Sequence, residues 1–276
     1  MTSIGIVGPG RAGVGLGLAL HEAGHEVYLH GRRGKAVPPP LSLSVGDTPP
    51  WLDAVEVVLL AVRDDAVEPA SAQLAASGGV KEHHVVLHLS GILDETPLAP
   101  LIPSGAARGT MHPLQALTDP ESAPDRLRGA LAAITGDPRA CYAAKGVAES
   151  IGLIPIEIDP AVKVKYHAAA VIASNYLVVL AAVAEQLLRN VGFPEALARG
   201  GLTALMRGTL DNVSRAGPAA ALTGPIVRGD TETIEKHLAA LPSDAAALYR
   251  ALGRAAAELA GLDEAGRAAI DRAFDA

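Results

Sequence analysis

Aromatic side chains and cysteine are both scarce in this chain of 276 residues. Aromatics make up 3% of the residues although 49% are hydrophobic, so a core must be built from Ala, Val, Leu and Ile. That composition suits closely packed helices. The single cysteine, Cys141, excludes an internal disulfide and leaves too few thiolates for a zinc or iron–sulfur site. Basic residues are also in deficit, with 23 Lys and Arg against 30 Asp and Glu and a net charge of −7. Nucleic acid, which needs a basic surface to displace counterions, is therefore not an expected partner. The apolar N-terminal stretch Ile4–Leu20 lacks a basic flank, contains Arg11 and is broken by six glycines. A strand and a helix explain it better than an export signal. The apolar run Ala168–Ala184 carries Ser174, Asn175 and Tyr176 and is shorter than the ~20 residues of a membrane span. It is read as a buried helix, and the protein as cytoplasmic with no membrane contact.

What is present is an alternation. Short apolar runs at Ile4–Val7, Glu26–Leu29, Val55–Val62, Val85–Leu89, Gly109–Met111, Leu131–Thr135 and Ile154–Ile158 are expected strands. Helix-like segments such as Ala12–Ala23 and Val67–Ala76 separate the early ones, which implies a parallel sheet covered on both faces. The proline-rich segment Val37–Pro50 allows at most a short edge strand near Leu41–Val45. From Asp159 the pattern becomes helical, with helices expected at Pro160–Val191, Glu195–Ala216, Asp230–Ala240, Ala245–Leu259 and Glu264–Phe274. The fold expected is α/β, a Rossmann-type mostly parallel sheet over 1–158 followed by an all-α domain over 159–276.

The first turn supports that reading. Gly8, Pro9, Gly10, Arg11, Ala12 and Gly13 match G-x-G-x-x-G between a strand and a helix. The first glycine permits the tight turn, the second lets backbone approach a pyrophosphate, and the third lets helix pack on strand; the helix N-terminus offers free N–H groups. At the end of the second strand, where an acidic residue would bind the ribose hydroxyls of NAD, stand His30, Gly31, Arg32 and Arg33. Two guanidiniums and no carboxylate favour NADP, with NADPH preferred over NADH. Ala61, Val62 and Arg63 at the end of the apolar run Val55–Val62, and Ser90 and Gly91 after Leu89, are placed where a cofactor would cross the sheet edge. Asp64 or Asp65 is expected to cap the following helix.

Three polar clusters could serve hydride transfer, which needs a proton donor or charge stabiliser at the substrate. His167 and Asn175 fall at i and i+8 on one face of the long helix, with His167 the expected proton donor and Asn175 a positioning group. Lys163 and Lys165 compete for the donor role but stand near the helix start, where solvation is expected. His112, held by Pro113, can aim an imidazole into a cleft as a second contact. The loop Leu222–Asp230 offers Thr223 and Arg228 to an anionic substrate. His83, His84 and His88 do not suggest a metal site, because His84 and His88 would lie roughly 13 Å apart on a strand.

Taken with Ala61-Val62-Arg63-Asp64-Asp65, His88-Leu89-Ser90-Gly91, Met111-His112-Pro113-Leu114, Tyr166-His167 to Asn175 and Leu222–Asp230, the glycine loop resembles Rossmann-like proteins with a C-terminal domain of unknown function, DUF2520. That group is similar to the wider superfamily of 6-phosphogluconate dehydrogenase, β-hydroxyacid dehydrogenases, ketopantoate reductase and pyrroline-5-carboxylate reductase. The resemblance implies a helical C-terminal domain that pairs with a second copy. In the β-hydroxyacid dehydrogenases a catalytic lysine and an asparagine lie on the first long helix; here His167 stands about where the lysine would be. The function expected is an NADP(H)-dependent oxidoreductase acting on a small anionic carbonyl or imine compound, ketopantoate first, as a homodimer. The alternatives are a non-catalytic NADP(H) sensor or partner-binding module, and an epimerase or lyase that uses the cofactor transiently.

Overall fold

The computed structural model describes residues 2–275. Eight strands, β1 (Ser3–Val7), β2 (Glu26–Gly31), β3 (Leu43–Val45), β4 (Val57–Leu60), β5 (Val85–His88), β6 (Ala107–Pro113), β7 (Leu131–Gly136) and β8 (Ile154–Glu157), form one sheet. Its order is β3-β2-β1-β4-β5-β6-β7-β8, and every neighbouring pair is parallel except β6 with β7. Strands β4 and β5 are buried at every position, as continuous Val/Leu runs with helices on both faces should be. The third run, expected at Val55–Val62, is shorter than expected, so Ala61, Val62 and Arg63 lie beyond the strand end. The fifth is longer, so His112 sits within β6, paired with Ala133, rather than in a turn.

Side chains alternate between two cores. On one face Ile4, Ile6, Leu59 and Leu87 meet helix α1 (Arg11–Glu22) and, further along, α4 (Pro138–Ser150), with the short α3 (Ala123–Leu127) beside α1. On the other, Val58, Leu60 and Val86 meet α2 (Val67–Ser77), Trp51, Leu98 and Leu101. Each fully buried Leu or Ile contributes about 1.5–3 kcal/mol. The strand order turns back at β1, with β2 on one side and β4 on the other, and such a reversal opens a crevice at the carboxyl ends of the strands. Neither aspartate caps α2: Asp64 begins a short 3-10 turn without a side-chain cap, and Asp65 is ion-paired to Arg63 instead.

Packing divides the chain after Asn175, later than the change of pattern at Asp159. The reason is local: α5 (Lys163–Val171) inserts Lys163 against the sheet end, as described below. A π-helical stretch, Ile172–Tyr176, follows α5. The second unit holds α6 (Leu177–Asn190), α7 (Glu195–Ala216), α8 (Pro218–Ala221), α9 (Thr231–Ala240), α10 (Ser243–Leu259) and α11 (Glu264–Asp275). Its own core is small: Ile234, Ala257, Ile270, Ala273 and Phe274.

The expectation of a buried helix at Ala168–Ala184 is corrected. The helix Pro160–Asn190 has an 18-residue window of mean hydropathy 1.8, none of which is buried, and by length and composition alone it could cross a membrane. The run Ala168–Ala184 understates it, because the helix continues past both ends, through Lys163 and Lys165 on one side and Glu185 and Arg189 on the other.

Candidate functional site

The glycine loop lies at the reversal of strand order. Gly8 has φ +111°, and a Cβ there would stand 2.4 Å from the Ala61 carbonyl oxygen. A Cβ on Gly13 would stand 2.0 Å from the Gly8 carbonyl oxygen, so helix and turn approach too closely for any side chain. Gly10 differs. Its φ of −73° suits any residue and nothing lies within 4 Å of its Cβ position. The space above Gly10 is open, at the end of a helix with no side-chain cap and no acidic residue in its first turn. Free N–H groups and the positive end of the helix dipole there suit a pyrophosphate. Lys35 adds a cation at this turn, its Nζ donating to the Pro9 carbonyl at 2.8 Å.

A cavity of about 220 Å³ adjoins the loop, walled by Gly8, Pro9, His30, Arg32, Asp47 and Val62, among others. Arg32 is therefore one wall of this cavity, while Arg33 is not. His30 is buried, its Nε2 bonded to the Gly46 carbonyl at 3.0 Å and its Nδ1 to Ser44 Oγ at 3.0 Å. Burial lowers its pKa, against the opposing effect of the Gly46 bond and Asp47. Asp47 puts an acidic residue at this cavity that the stretch His30–Arg33 does not contain. The residues present fit a dinucleotide; Arg63, engaged with Asp65 and 84% exposed, adds no contact of its own to the loop.

Further along the same sheet edge, β5 and β6 present His88, Thr110 and His112. Thr110 is paired with His88, and Thr110 and His112, two apart, share a face. Lys163 at the start of α5 is 1% exposed and completes the group. Its Nζ donates to Thr110 Oγ1 at 2.9 Å and to the Ser90 carbonyl at 3.3 Å. Burial brings its pKa down to about 8, opposed by the carboxylates of Asp94, Glu95 and Asp64. Both rings of the sheet edge are held at about 4, first by burial and then by nearby positive charge, Lys163 for His88 and His167 with Lys163 for His112. His88 is fully used: Nε2 donates to the Asp94 carbonyl at 2.7 Å and Nδ1 accepts from the Ser90 N–H at 3.2 Å.

His112 Nδ1 is bonded to the Tyr166 hydroxyl at 2.8 Å, and burial lifts the Tyr166 pKa to about 12. The His112 and His167 rings stand edge to face with centroids 5.9 Å apart. Gly91 separates them: its Cβ would lie 2.5 Å from His167 Nδ1 and 2.8 Å from His112 Nε2. Only a glycine lets the two imidazole edges converge. His167 Nδ1 is buried and has no hydrogen-bond partner.

The structure thus brings together Ser90, Gly91, His112 and His167 and adds Lys163, Thr110 and Tyr166. Lys163 corrects the expectation of a solvated lysine; the signal was its place one helical turn before His167, on the same face. Asn175 is exposed and lies in the π-helical stretch. The wider turn departs from the 3.6-residue period used to place it, so its spacing from His167 does not by itself fix its face. Thr223 and Arg228 belong to the second unit, both exposed, in the loop between α8 and α9. That loop ends as expected, with Asp230 capping α9 by accepting from the Thr233 N–H at 3.1 Å.

No curated protein matches the sequence significantly. Solved structures do match the fold. A Bacteroides fragilis protein provisionally assigned as an NADP oxidoreductase is 21% identical, with a TM-score of 0.75 over 93% of this chain and 98% of that one. A Thermotoga maritima protein is 23% identical, with a TM-score of 0.71 over 94% and 98%. Plasmodium falciparum pyrroline carboxylate reductase, solved with NADP bound, is 12% identical, with a TM-score of 0.64 over 99% and 97%. The Rossmann-like domain family matches residues 1–113, and the domain of unknown function DUF2520 matches residues 130–256. Glycine loop, strand order and helical continuation agree with both matches, and the chain belongs to the Rossmann-like proteins that carry a DUF2520 domain.

Proposed function

We propose that this protein is an NADP(H)-dependent oxidoreductase acting on a small anionic carbonyl or imine compound, with a 2-keto acid such as ketopantoate as the first candidate. The observation that carries the reading is the pairing of two features on one sheet edge. An uncapped helix N-terminus above the open Gly10 lies at the end of β1, and the buried Lys163 with the partly buried His112 and His167 lies at the ends of β5 and β6. Three strand spacings separate β1 from β6, about 14 Å at ~4.8 Å each, which a dinucleotide spans. The structural relatives include a protein assigned as an NADP oxidoreductase and a reductase solved with NADP bound, which supports the same class.

Bound nicotinamide would supply the hydride. The chain's own groups would hold the pyrophosphate at Gly8–Gly13 and take the adenosine-side phosphate with Arg32 and Lys35. His167 is the proton donor in this reading. Lys163, too buried to meet substrate directly, places a positive charge behind the site that favours negative charge developing on a substrate oxygen. Thr223 and Arg228 remain the substrate contacts proposed for the second unit.

The proposal includes a homodimer in the cytoplasm. Val178 and Val179 of α6 and Leu197, Leu205 and Leu210 of α7 are all at least half exposed, more apolar surface than a solvated helix pair normally shows.

Calorimetric titration with NADPH and NADH in parallel tests the cofactor. Micromolar NADPH binding with NADH at least ~10-fold weaker, about 1.4 kcal/mol, supports it; no binding of either removes the reading. With a substrate found by following NADPH oxidation, His167→Ala should remove turnover and leave NADPH affinity unchanged. Unchanged turnover would assign the proton to another group.

A further inference from the structure

We propose that Tyr166 and His112 form a tautomer lock that makes Nε2 of His167 the proton-bearing, outward-facing nitrogen of the site. The inference rests on the reading of His167 as the group that meets substrate, and it deepens that reading by naming how its proton is placed.

The chain of reasoning starts at Tyr166. Tyr166 is a half-buried residue of α5, and its hydroxyl lies 2.8 Å from His112 Nδ1. A phenol that keeps its proton is best satisfied by donating, and a neutral imidazole has one acceptor nitrogen. Tyr166 therefore donates to Nδ1, and the His112 proton resides on Nε2. Were Nδ1 protonated instead, Nε2 would turn a bare lone pair toward His167.

His112 Nε2 and His167 Nδ1 both point at the notch over Gly91, each within hydrogen-bonding distance of the place a side chain would occupy. Two N–H groups facing there would repel; a donor and an acceptor attract. With His112 Nε2 as donor, His167 Nδ1, buried and without a hydrogen-bond partner among the described residues, is the acceptor that faces the same notch. In the neutral form of the ring the remaining proton must then sit on His167 Nε2. Tyr166 and His167 are adjacent on α5, so the same helix holds both ends of the lock. Tyr166 and His112 are positioning residues here, acting through His167.

Histidine-labelled protein read by long-range nitrogen–proton NMR at pH 8 tests this without a substrate, with His112→Gln and His167→Gln variants supplying the assignments. The expected spectrum has protonated Nε2 and bare Nδ1 on both rings. Tyr166→Phe keeps the ring and the fold but should turn His112 into a mixture of tautomers and shift the His167 Nδ1 resonance. Tyr142→Phe, at a tyrosine 81% exposed and remote from the cluster, should change neither. A proton on His167 Nδ1 in the unmodified protein, or histidine spectra untouched by Tyr166→Phe, overturns the lock. Cofactor titration fails or succeeds independently, so a missing dinucleotide site and a missing lock give different results.

Discussion

Lys163 donates to Thr110 Oγ1, and because that oxygen is occupied as an acceptor, the Thr110 hydroxyl proton is free to reach Thr135 Oγ1, 3.0 Å away. The two threonines face each other across the antiparallel pair β6–β7. A charge that would be costly alone is thereby tied into a buried polar row beneath the site. An ammonium in such a place carries a desolvation penalty that its hydrogen bonds only partly offset.

Lys163→Met should therefore make the protein more stable at neutral pH. Burial brings the folded pKa to about 8, below the ordinary lysine value of 10.5. At pH 7 the folded protein holds a proton that burial disfavours, and that cost is constant below pH 8. Between pH 8 and 10.5 the unfolded chain binds more protons than the folded one, so wild-type stability rises with pH through that window. The ceiling is roughly 3 kcal/mol at ~1.4 kcal/mol per pK unit, less the two lost hydrogen bonds. Denaturant melts at pH 7 and pH 10 check it: the advantage of the Met variant should be about 1–2 kcal/mol at pH 7 and shrink at pH 10. A variant less stable than wild type at pH 7 would contradict the buried-charge account.

Gly10 and Gly13 should respond to alanine in opposite ways. Gly13→Ala drives a methyl into the Gly8 carbonyl, and loss of several kcal/mol or failure to fold is expected. Gly10→Ala meets nothing in the protein, so stability should fall by no more than about 1 kcal/mol, the cost of an alanine N-cap. Its methyl instead enters the space reserved for phosphate. Thermal melts paired with NADPH titration separate the two, and Gly10→Ala binding NADPH as tightly as wild type would show that the pyrophosphate lies elsewhere.

Why some of this was legible in sequence follows from how local each signal is. The glycine loop is a contiguous motif whose spacing reflects one turn, and Val57–Leu60 declares a doubly buried strand by composition alone. The lysine was visible as a residue but not as a buried one, since its burial depends on Thr110 and Ser90, far away in the chain. Asp47 reaches the cofactor cavity through the parallel pairing of β2 with β3, which a reading of His30–Arg33 does not contain. The face of Asn175 was not legible for a different reason: a constant helical period does not hold through the π-helical stretch Ile172–Tyr176.

In the proposed dinucleotide site, Arg32 and Asp47, which line one cavity, would oppose each other in choosing the cofactor. A guanidinium favours the extra phosphate of NADPH, and a carboxylate disfavours it while suiting ribose hydroxyls. Arg32→Ala should weaken NADPH at least ~10-fold, about 1.4 kcal/mol, and leave NADH nearly unaffected. Asp47→Asn should tighten NADPH and loosen NADH. Parallel calorimetry reads both, and equal losses for the two cofactors on Arg32→Ala would mean that Arg32 contacts a phosphate they share.

The apolar surface of α6 and α7 sets the last test. Val178 is 69% exposed and Leu205 67%, on helices whose hydrophobic residues exceed what their own unit covers. A stable pairing of two copies through such faces would bury about 1,600 Å² in total or more. Light scattering at micromolar concentration should give twice the chain mass for the wild type. Leu205→Glu, which places a charge in that contact without touching the core at Ile234 and Phe274, should give a single-chain mass with unchanged helical content. A wild type that already scatters as one chain would overturn the dimer, and a wild type that stays in solution only with detergent would direct the same surface toward lipid, since Pro160–Asn190 is long and apolar enough to enter it.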